Sequence, residues 1–132
     1  MAVLDALGQK LVTDGLGTLA TTIFLSYLPD SPDVAVAIYE DRGNGADQVF
    51  GLGVVSIERP TIRVVARGAR DDYPGARATL MNVRESIGSI RDVTIAGVKF
   101  MCVIAESDPY PMGRDEKERP MFGLDFQAWI TP

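Results

Sequence analysis

Two periodicities take turns along this chain. At its start Leu4, Leu7 and Leu11, flanked by Val3 and Val12, recur at i, i+3 and i+7, which lays one apolar stripe along a helix. A helix is therefore expected from Val3, closing near Asp14 and Gly15. "TTIFLSYL" (21–28) is β-branched and aromatic and stops at Pro29 in "PDSPD", so a strand and a turn are expected. "VAVAIYE" (34–40) is apolar on both faces, as in a central strand covered on both sides. "TIRVVARG" (61–68) alternates Ile62, Val64 and Ala66 with Arg63, Val65 and Arg67, so one face packs and the other carries two cations. The period then returns to that of a helix in "YPGARATLMNVRESIG" (73–88), with Pro74 near the start, Asp71 and Asp72 ahead of the positive helix end, and Gly88 at the close. Its buried stripe is read as Ala76, Leu80, Val83 and Ile87. "VKFMCVIA" (98–105) reads as a strand with Phe100, Cys102 and Ile104 on one face and Met101 and Val103 on the other. In the last strand (121–130), Phe122, Leu124, Phe126, Ala128 and Ile130 point one way and Asp125, Gln127 and Trp129 the other.

The order is helix, two strands, a long connection, a strand, a helix, and two or three strands. It describes an α+β sandwich, two helices packed on one face of a mostly antiparallel sheet. The connection 41–60, "DRGNGADQVFGLGVVSIERP", is longer than usual, so it is expected to project as an extended loop or as a hairpin with a strand pair around "VVSIE". A chain of 132 residues fits one domain, burying roughly two-thirds of its unfolded surface.

Composition removes several kinds of chemistry. The chain has no histidine, so the commonest general base and metal ligand are missing and Ser-His-Asp or Cys-His arrangements are excluded. "GNG" (43–45) and "GLG" (51–53) continue into neither a dinucleotide fingerprint nor a phosphate loop. Cys102, the single cysteine, lies in an apolar strand; it reads as a buried inert thiol and allows no internal disulfide. A net charge of −5 is a poor basis for gripping nucleic acid. No stretch has the pattern of a signal peptide or a membrane span, so a soluble protein made in the cytoplasm is expected. No metal or cofactor is expected.

What remains is the run "GRDEKERPMFGLDF" (113–126), six consecutive charged residues from Arg114 to Arg119 ahead of the best-patterned strand. Taken with "LPDSPDVAVAIYED", "ERPTIRVVARG", "YPGARATLMNVRESI" and the wider "PYPMGRDEKERPMFGLDFQAW", it resembles the minor capsid or tail terminator (tail completion) proteins of long-tailed bacteriophages. The resemblance covers nearly the whole chain. It implies a small α+β subunit without catalytic activity, forming a hexameric ring that caps the tail tube, stops its polymerisation and meets the head connector. Its partners would be further copies of itself, the tube protein and the connector or stopper, in the virion, with no membrane involved. Matching positions are Arg67, Tyr73, Pro74, Arg77, Gly113, Arg114, Asp115, Arg119, Phe122 and Phe126; Asp125 departs from the pattern, where Asn is common.

On this reading Arg67, Arg77, Arg114, Asp115 and Arg119 are candidates for a subunit or partner interface, since Arg–carboxylate pairs fix register between subunits. Asp41, Asp47 and Asp125 are candidates for an acidic channel wall that repels DNA phosphates and lets DNA pass unbound. Two plainer readings stand beside it. The charge run also fits a solvated turn, and the fold class also accommodates a small carboxylate-dependent enzyme or ligand-binding domain, which needs a pocket with carboxylates of shifted pKa.

Overall fold

The computed structural model describes residues 2–41, 47–49 and 54–131. α1 (Ala2–Thr13) is followed by β1 (Ile23–Leu25) and β2 (Ala35–Asp41). The hairpin strands β3 (Asp47–Val49) and β4 (Val54–Ile57) come next, then β5 (Thr61–Arg67) and α2 (Tyr73–Gly88). The chain ends with β6 (Arg91–Ile95), β7 (Val98–Ala105), β8 (Tyr110–Arg114) and β9 (Pro120–Thr131). The main sheet runs β1-β2-β5-β9-β7-β6, with β8 also paired to β9, and β3 and β4 form a two-stranded sheet of their own. Among the described strands β1 pairs with β2 in parallel and the other pairs are antiparallel.

Hydrophobic spacing explains the layers. Leu4, Leu7 and Leu11 of α1 and Ala76, Leu80, Val83 and Ile87 of α2 enter one cluster with Ile38, Ile62, Val64, Phe100, Phe122, Leu124 and Phe126, so both helices cover the same sheet face. α2 starts where expected. Pro74 sits in its first turn, and the Asp72 carboxylate caps it by accepting the Gly75 N–H at 3.0 Å. The connection 41–60 contains the hairpin alternative, with β4 within "VVSIE".

Three departures have physical causes. The strand expected over 21–28 is only Ile23–Leu25, because positive φ at Ala20 and Ser26 turns the backbone out of the sheet on both sides. β7 has a register shift between Phe100 and Cys102, a bulge that moves the alternation by one residue. Phe100 and Val103 therefore both reach the core, while Ile104 is 47% exposed and Cys102 only half-buried, correcting the faces assigned to Val103 and Ile104 and the burial expected of Cys102. β6 and β8 lie at the exposed margin, where no buried alternation marks a strand. Pro111 and Gly113 further obscure β8. Gly123 answers to β8: a Cβ there would meet Met112 Sδ and the Tyr110 ring at 2.8 Å.

Candidate assembly interface

β5 and β9 run antiparallel with Arg67 opposite Met121, so the end of β5 and the approach to β9 share one end of the sheet. Three loops meet there. The Gly68 N–H donates to the Pro120 carbonyl (2.9 Å) and the Asp71 N–H to that of Glu118 (3.1 Å), tying the β5–α2 turn to the β8–β9 elbow. The third loop is the 29–33 turn before β2.

Two buried guanidiniums hold that turn. Arg67, 3% exposed, donates from Nε to the Asp33 carbonyl (2.9 Å) and from Nη2 to those of Pro29 and Pro32 (2.6 Å each). Arg119, also 3% exposed, donates from Nε to Asp115 Oδ2 (2.7 Å) and from Nη1 to the Asp30 carbonyl (2.6 Å) and Asp33 Oδ1 (3.0 Å). Its Nη2 donates to Asp30 Oδ1 at 2.9 Å. Burial pulls the Arg67 guanidinium below its usual value, and the Arg119 cation adds to this, while Asp115, Asp30 and Asp33 oppose it. Two cations out of water persist side by side only where carbonyls and carboxylates take up their donors.

Asp115 shapes the elbow. Its Oδ1 accepts the N–H groups of Lys117 (2.9 Å) and Arg119 (3.0 Å), a carboxylate closing its own turn. Burial pushes the Asp115 carboxyl up, but the Arg119 side chain and the two backbone donors outweigh it and hold the pKa at about 2. Asp30 is likewise lowered, first by Lys117 and then by Arg119. Arg114 stands outside this network and is exposed, pairing with Asp71 and, at 3.3 Å, with Glu118. Lys117 pairs with Asp30 at the surface. Glu116, Lys117 and Glu118 face solvent, and a concavity of about 360 Å³ opens between them and Arg70.

The other candidates lie apart from this end. Arg77 is exposed on α2. On the sheet face away from the helices, Arg63 joins two of the candidate channel carboxylates, Asp125 (2.9 Å) and Asp41 (3.1 Å), and the Tyr110 hydroxyl donates to Asp125 at 3.1 Å. The side chain of Asp47 lies outside the described residues. Sequence reading missed Asp30, Asp33 and Arg63 as partners. "PDSPD" marks a turn, but nothing local says that Arg119, 86 and 89 positions away, will bind it.

The molecule is thus a two-layer α+β fold, its helices on one sheet face and a dense cluster of charge where three loops converge. The chain belongs to the bacteriophage tail terminator family: the family described as "Bacteriophage tail terminator protein" matches residues 10–132. It is accordingly a structural, tail-related virion protein. Its fold is similar to a chain from the virion of a native gene transfer agent particle, with a TM-score of 0.70 and 18% identity over 99% of this chain and 96% of that one. A second solved structure aligns with a TM-score of 0.54 and 13% identity over 99% of this chain and 93% of the other. No curated protein sequence matches.

Proposed function

We infer that the chain acts as a single tail-terminator domain whose copies form a closed ring, hexameric as the resemblance implies. The ring caps the tail tube, stops its polymerisation and joins the tail to the head connector or stopper protein while DNA passes through the bore. The observation that carries this reading is the family match over residues 10–132. In support, the three-loop end offers a preorganised charged surface, of the kind that fixes orientation between subunits more than it adds affinity. Of the candidate cations, Arg114 is exposed at this end and Arg77 is exposed on α2, so both can meet a neighbour. Arg67, Asp115 and Arg119 act on that surface from within, by holding its shape. Asp41 and Asp125 supply the channel wall, with Arg63 offsetting part of their charge.

The role read here is structural. Among the described residues no cluster of Cys, Asp or Glu is placed to hold a metal. Among the described residues the carboxylates with a resolved shift, Asp14, Asp30 and Asp115, are all lowered by their hydrogen-bond and ion-pair partners. The protein is made in the host cytoplasm and ends in the virion at the head–tail junction.

Electron microscopy of purified protein, and of tails grown without it, tests the reading. Rings from the protein alone, and tails of uncontrolled length without it, are expected. A monomer at all concentrations, with normal tails in its absence, would overturn it.

A further inference from the structure

The sheet has a second buried patch, on the face turned away from the helices. Along β2 and β5 the inward residues Val36, Ile38, Val64 and Ala66 join the main core, whereas Ala35, Ala37 and Val65 are 5% exposed or less yet stand outside it. Register sets Ala37 opposite Val65 on one side and Phe24 on the other, so Phe24, 5% exposed, belongs to the same outer patch.

β1 and β2 run parallel, so the chain leaving Leu25 must travel back along β2 before it can enter at Ala35. That return, residues 26–34, lies over the patch. Tyr27 meets Phe24 edge-on with ring centroids 5.3 Å apart. Leu28, Val65 and Met121 form the apolar side of a concavity of about 390 Å³, with Glu40, Asp41 and Arg63 on its charged side. Arg67, two positions beyond Val65 on the same face, takes the carbonyls of Pro29, Pro32 and Asp33.

This segment is held in a way the strands are not. The Ser26 N–H still reaches the Ile38 carbonyl at 2.8 Å, with positive φ at Ser26 turning the chain away. From Tyr27 to Asp33 no main-chain to main-chain hydrogen bond joins the segment to the other described residues. None of residues 26–34 is buried. Its polar hold is the Arg67 and Arg119 guanidiniums, with Lys117 on Asp30 at the surface. A segment with neither ladder bonds nor buried side chains belongs to the part of a fold that opens at the lowest free energy.

We propose that residues 26–34 are a strap that lifts as one unit, hinged at Ser26 and Ala35, while the sheet beneath it stays folded. Closed, the strap covers the outer patch with its own polar surface. Lifted, it bares an uncharged strip, Phe24, Ala35, Ala37 and Val65, continuous with the concavity. Arg67 reaches the strap from β5 and Arg119 from the elbow before β9, so each holds the closed state. One fold thereby carries two outer faces.

Thiol labelling of the full chain at stepped urea concentrations tests it, in a Cys102→Ser background. Ala37→Cys reports from beneath the strap and Ala66→Cys from the main core on the opposite face, both positions being 0% exposed. Below the unfolding transition the Ala37→Cys thiol is expected to react about tenfold or more faster than the Ala66→Cys thiol, at a rate urea barely changes, the mark of a local opening. Arg67→Met should raise that rate about tenfold or more again and leave it insensitive to urea. The same steep urea dependence at both positions would overturn the proposal, as would a rate untouched by Arg67→Met. Chymotrypsin on the unsubstituted chain gives a second reading that needs no reporter. Cleavage after Tyr27 is expected in native conditions at a rate insensitive to urea; cleavage there only as the whole chain unfolds would overturn it equally.

Discussion

Arg119 and Arg114 belong to one charged run and meet opposite fates. Arg119 is buried and binds two loops, whereas Arg114 lies on the surface between two carboxylates. Removing a buried donor leaves its acceptors without partners, while an exposed ion pair contributes little. Arg67→Met is therefore expected to cost about 2–3 kcal/mol in urea unfolding, since three carbonyls lose a charged donor. Arg114→Ala should leave the melting temperature unchanged, and any effect it has should appear in assembly. Arg119→Glu should destabilise the 29–33 turn in the monomer before any ring is considered, visible as a lowered melting temperature; unchanged melting with fewer rings would return Arg119 to a pure interface role. Phe126, fully buried at the sheet centre, gives the scale of a core loss: Phe126→Ala is expected to cost about 3–5 kcal/mol by denaturant unfolding.

Elements with strong internal signals were legible in the sequence. α2 carries a cap, a proline in its first turn and a full buried stripe, and it forms over residues 73–88 as read. Asp72→Ala should cost about 1 kcal/mol by thermal unfolding, since the first turn loses its side-chain acceptor. β9 extends the expected 121–130 by one residue at each end, because five alternating apolar positions leave only one register that buries them all. Elements without such signals were not legible. β6 buries none of its five residues, and β8 is held by the pairing that β9 offers and by the space at Gly123. The bulge in β7 could not be read either, since which residue a bulge displaces depends on the neighbouring strands.

At the scale of the whole molecule the loop network links folding to pH. Asp115 falls from its usual 3.8 to about 2 in the folded chain. A depressed carboxyl contributes stability above its unfolded value and loses it as pH falls through the folded one. Stability should thus decline as pH drops from 3.8 towards 2, with the lowered Asp14 and Asp30 acting in the same direction. Asp115→Asn should flatten that decline in urea unfolding at stepped pH, while an unchanged slope would place the acid sensitivity elsewhere. By itself the sequence determined the fold class, the two helices and the principal strands, because hydrophobic period acts between residues a few positions apart. It also narrowed the chemistry, since a chain without histidine forgoes a whole class of catalysis. Only the tertiary structure decided which cations are buried and which remain outside. The partners of Arg119 lie 86 and 89 positions upstream, and no local pattern encodes a contact made only when β2, β5 and β9 bring their ends together.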